Sequence, residues 1–370
     1  MKERAMSTSK KSMGFSLVEI MVAMVIALLG TIIIFQVFSV SESIKRTSTS
    51  GGDALQNGML ALYQIERDAR MSGFGINFLP LIGCNTLAHD EGPPARDFTF
   101  TLVAAQITDG AAGAPDSIQF VYGNSSLLLA PAKLIGSSVV AGTTFTVDNR
   151  YGFNNGDLIL AGEIGSTKNC SLRQITNLPA VPAVNVNNVS GNYTAASGNS
   201  VLARYNGSAG TPVAYNSWDN TSQTGGRLFD LGAAPIVATY AVQNGQLTYQ
   251  NLITDASAKA IADGIVQLQM QYGRDTVGDG SVHTWDETMP ASPTAADWAT
   301  VIALRMAVVA RSNLMERPNA TTGVCDTSTA QPTWTGGTLT VNTDPNWQCY
   351  RYRVFETTVP IRNMIWPQAT

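Results

Sequence analysis

The 370-residue sequence predicts an α+β protein in which a long N-terminal α-helix precedes a large, antiparallel, β-rich head. An apolar run of bilayer length covers residues 20–38, and an amphipathic helical pattern follows it from about residue 55. From about residue 98 onward, short β-type segments alternate with glycine, asparagine and proline. We therefore expect a helix with a membrane half over 15–40 and an amphipathic half over 41–75. The head over 76–370 is large enough for two packed sheets or subdomains.

The apolar run extends from Ile20 to Phe38 and has Thr31 and Gln36 as its only polar members. At about 1.5 Å per residue, a helix of this length spans roughly 28 Å, which is enough for the core of a bilayer. Residues 1–14 carry four basic side chains and one acidic one. The positive-inside rule therefore places this end in the cytoplasm and the head across the membrane.

Two simple interpretations of this segment are a cleaved secretory signal peptide and an ordinary signal anchor. Signal cleavage would fall near Ser39-Val40-Ser41, but the apolar run is longer than a usual signal-peptide core. Neither interpretation explains Glu19. A charge inside a bilayer-length helix costs about 2.5–3.5 kcal/mol on insertion scales, so it usually has a partner and a function.

The hexapeptide from Gly14 to Glu19 reads Gly-Phe-Ser-Leu-Val-Glu and follows a basic leader. It resembles the class III signal of type IV prepilins and pseudopilins. The resemblance implies that residues 1–14 are a leader, that prepilin peptidase cleaves after Gly14, and that the new amine of Phe15 is N-methylated. It also implies that Glu19 pairs with the N-terminal amine of a neighbouring subunit and sets the axial register of a filament. Electrostatics support this role, because opposite charges attract strongly in a low dielectric.

The amphipathic half of the helix carries an apolar stripe that we expect to lie against a sheet. Its members are Leu55, Met59, Leu62, Ile65 and Ala69. Gly51-Gly52 is expected to loosen or interrupt the helix before this stripe, and Gly73 and Gly75 are expected to end it.

The residues at the end of this helix narrow the resemblance from prepilins in general to one family. The segment Glu66–Gly75, with Cys84 downstream, is similar to the PilW family of minor pilins, in which an Arg-Asp-x-Arg-x-x-Gly segment closes the helix. We interpret Arg67, Asp68 and Arg70 as a marker of the family and as solvated side chains whose ion pairs contribute little.

The head is predicted to consist of short strands. The segments with strand character are Ser117–Tyr122, Thr143–Val147, Asp157–Ala161, Leu172–Thr176, Val201–Tyr205, Ile236–Tyr240, Gln246–Tyr249, Ile265–Tyr272, Ala303–Ala310 and Tyr352–Pro360. Asn244-Gly245 predicts a turn, and Leu178–Ser200 predicts a loop or irregular edge. Residues 156–160 and 170–176 resemble the PilW family and the related J-type pseudopilin of type II secretion, and 260–365 also resembles the PilW family.

Four cysteines predict two disulfides in an oxidising periplasm. Three pairings are open. We favour Cys325–Cys349, which closes a short segment rich in threonine, glycine and proline, and this leaves Cys84–Cys170. A metal site is disfavoured because the cysteines are widely spaced and never form a C-x-x-C motif.

One segment of the head has the spacing of a calcium loop. Asp275, Asp279 and Asp286 fall at loop positions 1, 5 and 12, and Gly280 falls at position 6. Val277 occupies position 3, where an oxygen ligand is expected. The preferred interpretation is an Asp-Gly turn between two strands, with a calcium site as the alternative.

Composition argues against other classes of function. Charged residues make up 14% of the chain, the formal net charge is −4, and no basic patch stands out, so no direct nucleic-acid partner is expected. No P-loop or dinucleotide fingerprint occurs, and neither His89 nor His283 lies near a nucleophile signature. We therefore expect no enzymatic activity and no cofactor other than the calcium alternative.

The tryptophans of the head are candidates for surface contacts with partners, although core packing is the commoner use of large aromatics. The candidates are Trp285, Trp298, Trp334, Trp347 and Trp366. Trp366 is expected to be the most exposed of them.

The resemblance implies a minor pilin, which is a single-pass inner-membrane precursor that then enters a pilus, at its tip. Its implied partners are other minor and major pilins, prepilin peptidase, the inner-membrane assembly platform and a tip adhesin. The alternative within the class is a pseudopilin of type II secretion. An alternative of another class is a membrane-anchored periplasmic binding or adhesion protein. The sequence does not distinguish among twitching motility, DNA uptake, adhesion and secretion.

Overall fold

The computed structural model describes residues 14–125, 131–136, 143–195, 197–207, 213–319 and 321–365. The chain forms two compact units, Met1–Gly52 and Asp53–Thr370. The α+β prediction is confirmed, because a long N-terminal helix is followed by a head built largely of antiparallel sheets.

The N-terminal helix α1 runs from Leu17 to Met71 without interruption. The sequence predicted that Gly51-Gly52 loosens or interrupts the helix, and the interruption does not occur. Each glycine costs a helix only about 1 kcal/mol relative to alanine, because it keeps both backbone hydrogen-bonding groups. A helix of 55 residues tolerates that cost at two positions. Two short helices, α2 (Ala295–Ala299) and α3 (Arg362–Ile365), lie in the head.

The strands of the head are numbered here in chain order. Within the described residues they are β1 (Asn85–Asp90), β2 (Arg96–Thr101), β3 (Ala105–Thr108), β4 (Ser117–Tyr122), β5 (Ala132–Lys133), β6 (Thr144–Thr146), β7 (Leu158–Ile164), β8 (Cys170–Gln174), β9 (Asn185–Asn187), β10 (Asn192–Thr194), β11 (Ser200–Leu202), β12 (Gly225–Gly232), β13 (Ile236–Gln243), β14 (Gln246–Asn251), β15 (Lys259–Asp263), β16 (Ile265–Arg274), β17 (Thr284–Asp286), β18 (Val301–Arg311), β19 (Thr333–Trp334), β20 (Gly337–Thr338) and β21 (Tyr352–Pro360).

These strands form three larger sheets. A six-stranded sheet has the order β2-β1-β8-β7-β12-β5, a five-stranded sheet has the order β15-β14-β13-β4-β3, and a four-stranded sheet has the order β17-β16-β18-β21. All pairs in the last two sheets are antiparallel. In the six-stranded sheet, β1 and β8 pair in parallel, with Thr86 opposite Cys170. Two-stranded ribbons pair β6 with β9, β10 with β11, and β19 with β20.

The predicted strands are present with small changes of bounds. Ser117–Tyr122 and Tyr352–Pro360 have the predicted bounds, whereas the segment predicted over 201–205 forms a strand over Ser200–Leu202. The Asn244-Gly245 turn joins β13 to β14, and both residues have positive φ, 53° and 74°. Positive φ at both central residues is the requirement of a two-residue type I′ hairpin, which asparagine followed by glycine satisfies at low cost.

Other strands were not predicted, and β12 is the largest of them. It pairs with β7 on one side and with β5 on the other, although it begins with Gly225-Gly226 and contains Arg227 and Asp230. The glycines are required by close packing, since a side chain at Gly226 would overlap Leu134. The hydrophobic pattern of a sequence does not indicate such a need for space. The predicted loop over 178–200 also contains two short strands, β9 and β10.

The largest hydrophobic core joins the part of α1 in the second unit to the five-stranded and four-stranded sheets. Ile65 of the helix, Phe120 and Tyr240 of the five-stranded sheet, and Leu268 and Met306 of the four-stranded sheet belong to it. A second core lies on the six-stranded sheet around Leu160, Leu172 and Phe229. Burial of such side chains contributes about 1.5–3 kcal/mol each, so these cores account for the order of the head.

The helix contacts the sheets through a different stripe from the predicted one. Ile65 and Ala69 are buried as expected, but Leu55 and Met59 are 48% and 58% exposed. The buried stripe begins instead with the small residues Ala54, Gly58 and Ala61. The helix therefore approaches the sheets closely, and a side chain at Gly58 would overlap the ring of Phe355 on β21.

Candidate functional sites along the N-terminal helix and in the head

The predicted processing segment lies at the start of α1. Gly14 and Phe15 precede the helix, and the side chain of Phe15 is 78% exposed. The amide of Ile20 donates to the carbonyl of Ser16 at 3.1 Å, which closes the first helical turn. Glu19 lies in that turn and is exposed. A carboxylate there interacts favourably with the helix dipole. Cleavage after Gly14, methylation of Phe15 and pairing of Glu19 remain predictions.

The apolar segment that follows is long enough and apolar enough to cross a membrane. Its large side chains are exposed in the isolated chain, including Ile26 at 64% and Phe35 at 70%. Exposure of so many apolar side chains in water is costly, which fits a segment surrounded by lipid or by other helices. The segment fits a membrane anchor.

The end of the helix contains a buried carboxylate that was predicted to be solvated. The side chain of Asp68 has no exposed surface. The Tyr240 hydroxyl donates to its Oδ2 atom at 2.7 Å, and the Arg67 Nε donates to its Oδ1 atom at 3.0 Å. The interpretation as a weak surface pair is therefore wrong for Asp68. Arg67 itself extends to the surface, where its side chain is 57% exposed.

The position of Asp68 follows from helical geometry. Asp68 lies three residues after Ile65 and seven after Ala61, so it falls on the same buried face. Tyr240 approaches from β13 and also lies within 3.4 Å of the carbonyl of Gln64. Burial and the negative charge of Asp68 raise the pKa of the Tyr240 phenol above its usual value, so the phenol remains a donor. The sequence offered no signal for this contact, because 172 residues separate the two partners.

The structure contains the two disulfides that the sequence favours. Cys84–Cys170 joins the segment after the helix to the start of β8, with a Cα–Cα distance of 5.9 Å. Cys325–Cys349 closes the segment between β18 and β21, with a Cα–Cα distance of 4.9 Å. In the chain-entropy model, loops of these lengths correspond to roughly 4–5 and 3–4 kcal/mol of stabilisation.

The candidate calcium loop forms the connection between β16 and β17. The carboxylate of Asp275 accepts backbone N–H groups, including those of Gly278 at 2.6 Å and Gly280 at 2.7 Å. Asp286 lies on β17, where it accepts the Thr284 hydroxyl at 2.8 Å and lies 3.6 Å from an Arg274 nitrogen.

Within the described residues, the group whose ligand atoms converge is Asp275, Asp279 and His283, without Asp286. Four backbone N–H groups donate to the carboxylate of Asp275, which is the pattern of an Asp-Gly turn. The calcium site remains a prediction.

The head tryptophans differ in environment. Trp298 is buried at 5% exposure and packs edge-on against Tyr272, with 6.0 Å between the ring centroids. Trp285, Trp334 and Trp347 are half-buried. Trp366 lies outside the described residues. Among the described residues, a surface role therefore remains open for the three half-buried rings, and the exposure of Trp366 stays a prediction.

The histidines occupy polar settings with acidic neighbours. His89 is largely buried, and its Nδ1 atom lies 2.6 Å from a carboxylate oxygen of Asp97. His283 lies within 3.6 Å of Asp275 and 3.4 Å of Asp279. No serine or cysteine nucleophile is recorded against either histidine among the described residues, where all cysteines form disulfides. The contact of His89 joins the neighbouring strands β1 and β2, and the contacts of His283 lie in the turn between β16 and β17.

A comparison with protein families gives one match. Residues 237–363, about a third of the chain, match the family described as Type IV Pilus-assembly protein W. The match runs from the second residue of β13 through β21 and into the first half of α3, so it includes Tyr240 of the five-stranded sheet and the whole four-stranded sheet. Comparisons with curated proteins and with solved structures give no match. Over residues 237–363, the chain is therefore similar to the PilW family of type IV pilus-assembly proteins.

Proposed function

We propose that the protein is a minor pilin that enters a type IV pilus after processing at the Gly14–Phe15 bond. The observation that carries the proposal is that one chain combines the PilW match at residues 237–363 with a membrane-length helix whose first turn contains Glu19. A family match alone supports a role in pilus assembly. The N-terminal segment adds a pair of charges that can guide the chain into the filament.

Entry into the filament depends on two charges at the start of the helix, one created by cleavage and one already present. Cleavage after Gly14 frees a positive amine at Phe15, and Glu19 lies one helical turn further on. Among packed apolar helices, an unpaired carboxylate is costly, whereas a carboxylate beside an amine is stabilised. A subunit enters with lowest free energy when its Glu19 meets a neighbour's amine, and this fixes the axial register.

The size of the head supports a low-copy position in the filament. The second unit, Asp53–Thr370, carries three larger sheets. A head of this size in every shaft subunit would have to fit around all its neighbours, whereas a tip or priming complex has fewer neighbours. We therefore propose a place in such a complex, with other minor pilins and a tip adhesin as partners. The PilW family consists of pilus assembly components and is not known for catalysis.

The first experiment determines the N-terminus of the mature protein by mass spectrometry, in cells with and without prepilin peptidase. A chain that begins at N-methylated Phe15 only when the peptidase is present supports the proposal. A start near Glu42 would indicate an ordinary signal peptide and would contradict the filament role. An uncleaved chain in both strains would leave a membrane-anchored periplasmic protein.

A second experiment separates the pilus from a type II secretion filament, which shares the same processing. The gene is deleted, and surface piliation and protein secretion are measured in the same cultures. Loss of pili with normal secretion supports the minor-pilin role. Loss of secretion with normal pili would assign the chain to the secretion system instead.

A further inference from the structure

A groove of about 250 Å³ opens on the four-stranded sheet beside the β19–β20 ribbon. Its lining residues come from β18, β21 and the ribbon; they are Arg305, Trp334, Thr335, Glu356, Thr357 and Thr358. We refer to it as the Trp334 groove. Pockets for drug-sized ligands measure about 300–1,000 Å³, so this volume suits a ligand with a single small ring.

The register of the sheet brings the polar lining to one face. Arg305 on β18 pairs with Thr358 on β21, and Ala307 pairs with Glu356 two residues further on. Because side chains alternate along a strand, Arg305, Thr358 and Glu356 point to the same side. Met306, between Arg305 and Ala307, is buried in the main core on the other side. The groove is therefore built on a rigid part of the head.

The guanidinium of Arg305 is held in place by neighbours that leave part of it free. Its Nε donates to the Oε1 atom of Gln271, whose own amide donates to Glu287 at 3.2 Å. The guanidinium carbon lies 4.7 Å from the ring centroid of Trp285 and 5.7 Å from that of Trp334. Cation–π contacts of this kind fix the plane of the group. Among the described residues, no acceptor is recorded for its two terminal nitrogens.

Glu356 supplies an oriented acceptor in the same groove. Its Oε2 atom accepts the backbone N–H of Thr335 at 2.9 Å and the Thr335 hydroxyl at 3.0 Å. No donor is recorded for Oε1 in the described part of the chain. The groove thus offers fixed donors, a fixed acceptor and the half-buried indole of Trp334 as an apolar wall.

These groups select the chemistry of a ligand. An anion would gain from Arg305 but would be repelled by Glu356, and a cation would meet the reverse. A neutral ring that carries adjacent hydroxyls satisfies both, because a hydroxyl accepts from the guanidinium and donates to the carboxylate. The C–H face of such a ring packs on an indole, which combines an apolar face with a polar edge.

We propose that the Trp334 groove binds a neutral hexopyranose unit of a glycan. Arg305 and Glu356 bond its hydroxyls, and Trp334 packs on its ring. The site lies wholly within the second unit and does not depend on processing at Gly14 or on a role in the pilus.

Binding is tested with the full-length chain in a detergent whose head group is not a sugar. The probes are the methyl glycosides of glucose, galactose, mannose and N-acetylglucosamine, together with a linear tetrasaccharide of each. Tryptophan fluorescence and saturation-transfer NMR report binding. We expect saturable binding of at least one glycoside. A similar affinity for the tetrasaccharide indicates recognition of a single terminal unit, whereas a higher affinity indicates contacts along a chain.

Variants localise the site. Trp334→Ala and Glu356→Gln are expected to raise the dissociation constant at least ten-fold. Thr358→Val changes an exposed position of the groove, so it should have little effect on folding. Trp218→Phe is the matched control, because this half-buried tryptophan packs on Arg227 of the six-stranded sheet, 3.7 Å from the guanidinium carbon. It should bind as the wild type does. Melting curves of each variant show whether the fold is retained.

Three outcomes would overturn the proposal. The first is no saturable binding of any glycoside or tetrasaccharide by the wild-type chain. The second is binding that folded Trp334 and Glu356 variants retain at full strength. The third is binding of acetate or of methylammonium at the groove without binding of any sugar, which would show a site for a charged ligand.

Discussion

The hydroxyl of Tyr240 on β13 lies 2.7 Å from the buried carboxylate of Asp68 near the end of α1. This contact joins the helix to the five-stranded sheet across 172 residues of sequence. Asp68 has no exposed surface, and its other oxygen accepts from Arg67. A buried charge that accepts from Tyr240 and Arg67 is a strong constraint, because the loss of a donor away from water leaves the carboxylate incompletely satisfied.

Removing the carboxylate should destabilise the head markedly. For Asp68→Ala we expect a loss of about 3–5 kcal/mol in the free energy of unfolding, the range for breaking a buried charged pair. For Tyr240→Phe we expect a loss of about 1.5–3 kcal/mol, since one hydrogen bond to a charged group is removed. Urea unfolding of the full-length chain in detergent measures both changes.

The control for Asp68 lies two residues earlier in the helix. Glu66 pairs with Arg70 at the surface, where both side chains remain partly exposed. Exposed ion pairs contribute about 0–1 kcal/mol, so Glu66→Gln should change stability little. Equal effects of Asp68→Ala and Glu66→Gln would contradict the burial of Asp68.

A second prediction concerns how closely the helix approaches the four-stranded sheet. A Cβ at Gly58 would overlap the ring of Phe355, whereas a Cβ at Gly52 would have nothing within 4 Å in the described structure. Gly58→Ala should therefore cost about 1–3 kcal/mol through overpacking. Gly52→Ala should stabilise the helix by about 0.5–1 kcal/mol, since alanine is the better helix former.

Melting temperatures of the two alanine variants and of Gly58→Ala/Phe355→Leu test this prediction. The double variant gives the helix the room that Phe355 occupied, so it should recover part of the loss. A Gly58→Ala variant that is as stable as Gly52→Ala would show that the helix does not lie against Phe355.

Much of the fold could be predicted because it depends on local pattern. The Asn244-Gly245 turn and the alternation over Tyr352–Pro360 each specify a structure without reference to the rest of the chain. The apolar run and the charge at Glu19 likewise identify the start of the helix. Such features need only neighbours in sequence.

The remaining features depend on distant partners. Leu55 and Met59 fit a helical stripe as well as the buried residues do, but the space near Phe355 selects the small side chains of Ala54, Gly58 and Ala61. Asp68 looked like a solvated helix end because its partner Tyr240 belongs to another part of the sequence. The groups of the Trp334 groove are likewise brought together by the register of β18 and β21 and by the packing of the β19–β20 ribbon beside them.

A third prediction concerns pH. The carboxylate of Asp116 is 2% exposed and accepts the amides of Gly110 at 3.0 Å and Met270 at 2.8 Å. Burial raises its pKa to about 7; the two amides oppose this shift, and the charges of Asp109 and Glu287 add to it. The folded state therefore holds a proton that the unfolded state releases near pH 4. The stabilisation is complete below pH 4 and is lost as the pH rises to about 7.

The measurement compares the wild type with Asp116→Asn, which has no proton to release. Between pH 4 and pH 7.5, the unfolding free energy of the wild type should fall by up to about 4 kcal/mol relative to that of Asp116→Asn. The figure follows from about 1.4 kcal/mol for each pH unit between the pKa values of the unfolded and folded states. Other titrating groups are common to both chains and cancel. A difference that stays constant over this range would show that Asp116 is ionised throughout.

The fourth prediction tests the chemical route into the filament. Glu19→Ala should reduce incorporation of the chain into pili at least ~ten-fold. The variant leaves a buried amine uncompensated, and this costs more than the ~1.4 kcal/mol that corresponds to a factor of ten. Glu42→Ala is the matched control, since Glu42 is an exposed carboxylate on the same helix. Immunoblots of sheared pili and of membranes report incorporation and total protein. Glu19→Asp keeps the charge with a shorter reach and should restore incorporation in part. Normal incorporation of Glu19→Ala, or an equal loss in Glu42→Ala, would contradict a specific pairing at the N-terminus and would leave the membrane span as the sole requirement for entry.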